Sequence, residues 1–451
     1  MATFDKKAPG VYVEEISKLP PSVASVATAI PGFVGYTERG TKNTAIRVES
    51  LIDFEEKFGY ACKIAISEED KINGLEYKLH ESMRLFYANG GGICYVVSVG
   101  NYKDAISNTA LETGISMLEP IDEVTMIVVP DAVSLEIKDL ASVQNAALAQ
   151  CLELKDRVAI LDVKDTGNCN TDATNFRNSI GTKGASYGAA YYPYIKSVYD
   201  REINVYDIYK GLELSNQELE NAQYYAELSE PTEESTLFAK QLMSKPEYAK
   251  LVAKIQEQAN LLPPSGAIAG IYCANDNQRG VWHAPANMSV SGISDINVRI
   301  SDKQQGELNE NTSGKCINAI RAFQGKGILV WGARTLDGLS SEWKYISVRR
   351  FFNYVEESIQ ESTAWAVFQP NDANTWVKVR CQIENFLSNL WRDGALAGST
   401  PQEAFYVRVG INQTMTAQDI LNGYMIVEIG MAAVRPAEFI VLQFSHKLQE
   451  S

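Results

Sequence analysis

The chain has 451 residues, a formal net charge of −15 at pH 7, and 22% charged residues. This length exceeds what one hydrophobic core serves and predicts two to four folding units. The acidic balance disfavours nucleic acid and anionic lipid as partners, because both carry negative charge. Seven cysteines without a Cys-x-x-Cys pair and only three histidines disfavour a disulfide framework or a metal centre, and we expect no cofactor.

Residues 1–30 predict an extended N-terminal arm rather than part of a compact domain. Val11, Tyr12, Val13 and Glu14 alternate between apolar and polar positions in the manner of a short strand. Pro20-Pro21 and a run of small residues then interrupt the pattern. The segment has too few large side chains to bury itself.

Two further segments predict an α/β fold of mixed α/β and α+β character. Residues 31–100 predict an N-terminal α+β part, with helices near 50–60 and 74–88 and a strand over 93–99. Residues 101–345 predict a central α/β domain, because apolar strands at 124–129 and 157–162 flank a helical pattern at 140–154. This β–α–β order favours a parallel sheet. Residues 198–262, rich in charged residues, predict a helical insertion in that domain.

Residues 346–436 predict a C-terminal α+β domain. Its second helix, over 373–393, has an apolar face and an opposite polar stripe. The stripe residues, spaced 4, 3, 4 and 3 apart, are Lys378, Gln382, Asn385, Asn389 and Arg392. Such a stripe is usually a solvated face. Because its only charges are positive in an acidic chain, it is also a candidate docking surface.

Residues 437–451 predict a C-terminal strand arm. Its apolar residues are Phe439, Ile440, Val441, Leu442 and Phe444. A terminal apolar strand is an aggregation hazard unless another strand pairs with it. Either both arms pair with their own sheet, or they are donated to neighbouring subunits, which would build filaments or lattices.

One catalytic alternative is an α/β hydrolase in which Ser186 is the nucleophile. Residues 184–188 fit the G-x-S-x-G pattern, and Asp276 and His283 follow in the order of a triad. That pattern requires a strand before the serine and a helix after it. Polar residues precede Ser186 and Pro193 follows it, which favours a packing turn instead.

The sequence resembles contractile tail sheath proteins, which occur in phages, R-type bacteriocins and extracellular contractile injection systems. The resemblance is carried, in family order, by segments at residues 9–15, 86–97, 263–270, 279–287, 330–336, 349–352, 356–359, 394–396, 415–416 and 435–440. It is greatest toward sheaths of the antifeeding prophage and Photorhabdus virulence cassette type, and residues 198–262 depart from the pattern.

The resemblance implies a structural subunit and not an enzyme. It implies six-membered rings stacked around an inner tube, linked by terminal arms that join the sheets of neighbouring subunits. Contraction would drive the tube into a target cell, with the polar face of the 373–393 helix toward the tube. The implied partners are further copies or paralogues, the tube protein, and baseplate and cap proteins, without nucleic acid or membrane. Because no bilayer-spanning segment or signal peptide is evident, we expect assembly in the cytoplasm. The resemblance implies a bacterial cell and later release as part of an extracellular particle or virion.

Overall fold

The computed structural model describes residues 23–67, 71–228, 230–310 and 312–440. These residues form two compact units. The larger unit comprises residues 26–357 and 435–440, and the smaller unit comprises residues 23–25 and 358–434. Within the described residues, no helix is both long and apolar enough to cross a bilayer.

Strands dominate the centre of the larger unit. They are β1 Pro31–Thr37, β2 Ala45–Val48, β3 Ala65–Ile66, β4 Ile72–Asn73, β5 Cys94–Asn101, β6 Met126–Val128, β7 Val158–Asp162, β8 Gly188–Tyr192, β9 Ile195–Ser197, β10 Leu261–Leu262, β11 Met288–Ser289, β12 Ile293–Ile296, β13 Ile317–Phe323 and β14 Gly327–Val330. The smaller unit contains β15 Phe405–Arg408 and β16 Glu428–Met431.

Helices follow or flank these strands. They are α1 Leu51–Phe58, α2 Leu79–Ala88, α3 Asn108–Ser116, α4 Ile137–Leu154, α5 Cys169–Ser179, α6 Val205–Ile208, α7 Asn216–Ala226, α8 Glu233–Met243, α9 Pro246–Ala259, α10 Ser265–Arg279, α11 Asp302–Asn309, α12 Ile346–Thr363, α13 Ala373–Arg392, α14 Pro401–Ala404 and α15 Ala417–Leu421.

Nine strands of the described residues form one sheet, in the order β11-β14-β13-β8-β7-β6-β1-β5-β2. The six strands from β13 to β5 run parallel, and β2, β14 and β11 pair antiparallel at the two edges. The strands predicted at 124–129 and 157–162 are β6 and β7, which lie side by side with Met126 opposite Val158. The predicted parallel α/β sheet is confirmed.

Successive strand residues face opposite layers of helices, as the period of two requires. Val34 and Val97 belong to one buried cluster, whereas their neighbours Phe33 and Val96 belong to another. The first cluster includes residues of α3, α4 and α5, and the second includes residues of α2 and α10. The sheet is therefore covered on both faces, which explains its nearly continuous apolar strands.

Two glycines let α10 approach α2 closely. A Cβ atom added to Gly266 would lie 2.5 Å from the carbonyl oxygen of Ser82, and one added to Gly270 would lie 2.4 Å from that of Phe86. Both distances are too short for a real contact. Residues four apart share one helix face, so this glycine pair is the reason that α10 packs backbone to backbone.

The charged segment at 198–262 forms α6 to α9 between the paired strands β9 and β10. Capping boxes at Ser215 and Thr232 begin α7 and α8 and satisfy backbone N–H groups there. A small cluster of its own, including Phe238 and Leu242, holds these helices together. Charged composition and local capping therefore produce a helical excursion from the sheet.

Candidate assembly surfaces

The helix α13 is the main element of the smaller unit and packs on β15 and α14. Asp372 precedes it as N-cap, and its side chain accepts a hydrogen bond from the backbone N–H of Thr375 (3.0 Å). Its buried face contains Ile383, Leu387 and Leu390. The predicted amphipathic helix at 373–393 is confirmed.

Four of the five residues predicted for the polar stripe of α13 are exposed. They are Lys378, Asn385, Asn389 and Arg392. Arg392 stands in the last helical turn, where its positive charge complements the helix dipole. Among these four residues the charged ones are both cationic, so the stripe offers amides and positive charge to a partner.

The prediction that Gln382 belongs to this exposed stripe is wrong, because Gln382 is 1% exposed. Its Oε1 accepts a hydrogen bond from Trp365 Nε1 (2.8 Å), and its Nε2 donates to the carbonyl oxygen of Ser362 (3.0 Å). The physical reason is the indole N–H of Trp365, which needs an acceptor once it is half-buried. Gln382 supplies that acceptor and is buried together with its neighbour Ile383.

The strands β15 and β16 form a two-stranded antiparallel sheet with Phe405 opposite Met431 and Arg408 opposite Glu428. Within the described residues, this sheet contains no third strand. Tyr406 on β15 is half-exposed, and its hydroxyl donates to the Glu428 carboxylate (2.8 Å). A two-stranded sheet is only marginally stable in water by itself, and an edge to which no third strand is bound in the described part of the chain can accept another strand.

Of the residues predicted for the arms, Val11, Tyr12, Val13, Glu14, Val441, Leu442 and Phe444 lie outside the described residues. Phe439 and Ile440 are described, and 69% and 79% of their respective surfaces are exposed. Neither pairs with another strand within the described chain, and the strand arm at 437–451 stays a prediction. The side chain of Glu438, just before them, is bound by side chains of its own subunit.

The carboxylate of Glu438 is held by a buried arginine. Arg334 is 1% exposed, and its Nε and Nη2 donate to Oε1 (2.8 Å) and Oε2 (2.7 Å) of Glu438. The hydroxyl of Tyr345 donates to Oε2 (3.1 Å). This two-pronged geometry is the strongest form of arginine–carboxylate pairing. Residues 436–440 also form one wall of a cleft of about 750 Å³ beside Trp331 and α11.

A second buried arginine holds the other end of the described chain. Arg350 Nη1 and Nη2 donate to the Asp276 carboxylate (3.0 and 2.5 Å), and both side chains are 3% exposed. Arg350 Nη2 also donates to the carbonyl oxygen of Thr28 (2.8 Å). Burial alone would lower the pKa of Arg350, but the Asp276 charge raises it. Arg350 therefore stays charged and ties Thr28 to α10.

The hydrolase arrangement around Ser186 is not present. Ser186 lies in a single 3₁₀ turn, Ala185–Tyr187, that leads directly into β8. A nucleophile elbow needs the reverse order, a strand before the serine and a helix after it. The Asp276 carboxylate is bound by Arg350 and is not available to orient His283. The packing turn is the interpretation that the geometry supports.

The carboxyl ends of β6 and β7, where open α/β sheets bind ligands, carry two buried aspartates. Asp131 follows β6 and accepts hydrogen bonds from the backbone N–H groups of Tyr36 (2.6 Å) and Lys78 (2.5 Å). Asp162 ends β7 and accepts from the N–H (2.9 Å) and hydroxyl (2.5 Å) of Ser265. Burial raises the pKa of each carboxyl to about 7. In the described residues no group of three or more His, Cys, Asp or Glu is placed to hold a metal.

Sequence reasoning missed Phe368, which lies in the turn between α12 and α13. Its side chain is fully exposed, and its φ of +63° is a left-handed conformation that aromatic residues rarely adopt. Strain of this kind persists where the surroundings determine the backbone. The available sequence signal was an aromatic residue directly before Gln369-Pro370, in a segment where proline disfavours helix.

Sequence reasoning also missed both arginine pairings, although it singled out the segments that carry them. Arg334 and Glu438 are 104 residues apart, and Arg350 and Asp276 are 74 apart. Arg334, Glu438 and Arg350 lie in segments on which the resemblance rests, whereas Asp276 lies between two of them. No local sequence pattern marks these charges as partners of one another.

Comparison with known proteins extends these observations. The sequence model described as phage tail sheath protein central domain matches residues 104–336, and that of the phage tail sheath C-terminal domain matches residues 340–447. The tail sheath protein of Vibrio phage KVP40 is 23% identical over 192 residues, which are 42% of this chain and 27% of the relative. The matched region thus spans about a quarter of that relative.

Two solved structures match nearly the whole chain. The sheath complex of the extracellular contractile injection system PVC, in the contracted state, has a TM-score of 0.69 and 32% identity, covering 99% of both chains. The helical sheath of the anti-feeding prophage, in the contracted state, has a TM-score of 0.67 and 30% identity, covering 97% of this chain and 99% of that one. The predicted resemblance is confirmed, and the chain belongs to the phage tail sheath protein family as a structural subunit of a contractile sheath.

Proposed function

We propose that copies of this chain polymerise as stacked six-membered rings around an inner tube, joined by terminal strands that each subunit donates to its neighbours. The observation that carries this proposal is the β15–β16 sheet, which has two strands within the described residues, in a chain whose last described residues, Phe439 and Ile440, are apolar and exposed. The edge of the proposed acceptor sheet offers backbone hydrogen-bonding groups, and the proposed donor arm is an apolar segment of the kind that forms strands. A strand added in this way is a head-to-tail contact, which generates lattices.

The energetics of strand donation suit a lattice that moves. Each backbone hydrogen bond contributes a net of about 0.5–1.5 kcal/mol. A strand beside the four residues of β15 or β16 forms roughly two to four such bonds, so one arm contributes a few kcal/mol. That is weak for a single pair of subunits and strong when repeated through a sheath.

The exposed stripe of α13 is the proposed contact with the tube. Its residues Lys378, Asn385, Asn389 and Arg392 are polar, so separation from the tube exposes no apolar surface to water. This property fits a contact that must break during contraction. The domain at 346–436 is accordingly proposed to face the tube.

Phe368 is a proposed contact between copies of the chain. A fully exposed aromatic ring on a strained turn has no stabilising role in the isolated subunit. Aromatic residues are enriched among the residues that dominate binding energy. We assign its ring to the interface between neighbouring sheath subunits.

Solved relatives support a finer proposal about partners and localisation. Two of them are sheaths in the contracted state, and a third is a chain of a baseplate structure. We propose the same setting here: assembly in the bacterial cytoplasm with tube, baseplate and cap proteins, followed by release in an extracellular particle. Contraction then uses energy stored at assembly, and no nucleotide is required.

Deletion of residues 441–451 tests strand donation, because it removes the apolar run and retains Glu438 on Arg334. The expected product is a folded, soluble subunit that forms no tubular polymer in negative-stain electron microscopy. Leu442→Pro, which removes a backbone N–H, should act in the same way. Leu442→Thr, which preserves strand propensity, is its matched control and should polymerise. Normal polymers from the deletion would refute strand donation.

A further inference from the structure

We infer that buried arginines clamp the roots of both terminal arms to the larger unit, Arg334 through Glu438 and Arg350 through Thr28, and that these clamps transmit tension between neighbouring subunits. The inference rests on the proposed strand donation. Without a clamp, a pull on a donated strand would peel the root from its own subunit. With one, the pull reaches the central sheet.

Residues other than Glu438 hold Arg334 in position. Asn318 on β13 fixes the backbone on both sides of Arg334: its Oδ1 accepts from Arg334 N–H (2.7 Å), and its Nδ2 donates to the Arg334 carbonyl (2.8 Å). Arg334 Nη1 donates to the carbonyl oxygen of Asn309 (2.9 Å). Arg334 Nη1 also lies 3.8 Å from Cys316 Sγ, and Nε and Nη2 point at Glu438. A buried guanidinium without its carboxylate would be an uncompensated charge, so the segment is held in place.

The C-terminal root is attached by polar contacts and not by the core. No residue of 435–440 belongs to either buried cluster of the sheet within the described chain. Arg435 Nη1 donates to the carbonyl oxygen of Ser341 (2.6 Å), and Glu438 is bound as above. Phe439 and Ile440 then leave exposed. The C-terminal root is therefore held to the larger unit by polar side-chain contacts.

The N-terminal root has a comparable attachment. The Thr28 carbonyl oxygen accepts from Arg350 Nη2 (2.8 Å) and from the hydroxyl of Thr125 (3.0 Å), and Thr125 Oγ1 accepts from Ile30 N–H (3.0 Å). Asp276 and the ring of Tyr272, 4.6 Å from the guanidinium carbon, fix Arg350 in position. The root is thus fixed directly before β1 begins.

Both clamps end on the same hydrogen-bonded sheet. Thr28 lies three residues before β1, and Arg334 lies four residues after β14. The strands β1 and β14 are joined through β6, β7, β8 and β13. Tension on one arm therefore passes across paired strands to the other arm, and no loop needs to stretch.

The test compares Glu438→Gln with Glu310→Gln in the full chain. Both substitutions remove one carboxylate lining the same cleft, but Glu310 is exposed and does not contact Arg334. We expect Glu438→Gln to unfold at a lower urea concentration than Glu310→Gln, because it leaves the buried guanidinium of Arg334 without its carboxylate. In buffer without urea, where both subunits are folded, only the Glu438→Gln polymers should fragment. After a fixed shear, their mean length in electron micrographs should fall at least about threefold, or polymers should be absent.

Tyr345→Phe, which removes one hydroxyl donor, should shorten the polymers to a lesser degree and provides the answer if Glu438→Gln fails to fold. Thr125→Val makes the corresponding change at the N-terminal root and should also shorten them. Clamp variants whose polymers match those of Glu310→Gln would overturn the inference. The failure of strand donation is a separate result, since it would appear as normal polymers from the deletion of residues 441–451.

Discussion

Reversing the two positive charges of the α13 stripe, by Lys378→Glu together with Arg392→Glu, tests the proposed tube contact directly. Both side chains are exposed, so the subunit itself should keep its fold. Exposed substitutions usually change the free energy of unfolding by less than about 0.5 kcal/mol. Replacing Arg392 should lower the free energy of unfolding by roughly a further 0.3–1 kcal/mol, because its positive charge complements the helix dipole in the last turn of α13.

The expected loss of tube binding is larger than the loss of stability. Two unit charges 4 Å apart interact by about 1 kcal/mol in bulk water and by about 4 kcal/mol near a protein surface. With the lower figure, reversal removes one attraction and adds one repulsion, or about 2 kcal/mol per position. Two positions amount to about 4 kcal/mol, which is close to a thousandfold in affinity.

The assay is co-sedimentation of sheath subunits with preassembled tubes of the tube protein at about 0.15 M salt, followed by electron microscopy. Raising the salt to about 1 M should shrink the difference from wild type, because the screening length falls to about 3 Å. Lys250→Glu with Lys254→Glu is the matched control, since both lysines are exposed on α9 and the net charge again changes from −15 to −19, four units lower. Undiminished tube binding by the stripe variant, or an equal loss in the control, would refute the assignment.

Phe368→Gly should raise the free energy of unfolding by up to about 1 kcal/mol, because glycine adopts positive φ without strain, and it should also reduce polymer yield. Phe368→Ala should reduce polymer yield without the gain in stability. An unchanged polymer yield in both variants would exclude the proposed contact between subunits. Gln382→Ala should cost about 1–3 kcal/mol in urea unfolding, since it leaves two hydrogen-bonding groups unpaired, whereas the exposed Asn385→Ala should be neutral. Burial raises the pKa of Asp162 from 3.8 to about 7, so the folded state binds the carboxyl proton more tightly than the unfolded state does. The contribution of Asp162 to the free energy of unfolding is therefore lost as pH rises from about 4 to 7. The Asp162→Asn variant should not show this pH-dependent loss of stability. If the difference in free energy of unfolding between wild type and variant, measured with urea, stayed constant from about pH 4 to 7, the raised pKa of Asp162 would be contradicted.

The sequence predicted the sheet well because its signals are local. The apolar runs that became β6 and β7, and the helix α4 between them, are determined by period and length. The same holds for α13, where Asp372 and the apolar spacing mark the start and the buried face. A resemblance carried by many segments added the family, which local patterns alone do not provide.

What the sequence did not predict depends on contacts between distant residues. Gln382 occupies a polar position in the pattern of α13 but is buried by Trp365, seventeen residues away. Glu438 belongs to an apolar run that predicts a strand, yet Arg334 binds its side chain. In both cases a buried donor requires an acceptor, and helical or strand periodicity contains no information about that donor.

The aspartates at the ends of β6 and β7 have a consequence for how this fold is used. In open α/β proteins that edge is a crevice, whereas here Asp131 and Asp162 engage the chain's own amides. A small molecule entering there would have to uncap the first turn of α10 and release two backbone hydrogen bonds beside β1. Hydrogen bonds thus occupy the edge of the sheet where related folds have a pocket, and they stiffen the connection between the sheet and α10. Stiffness at this edge suits a subunit that must withstand a sudden mechanical load.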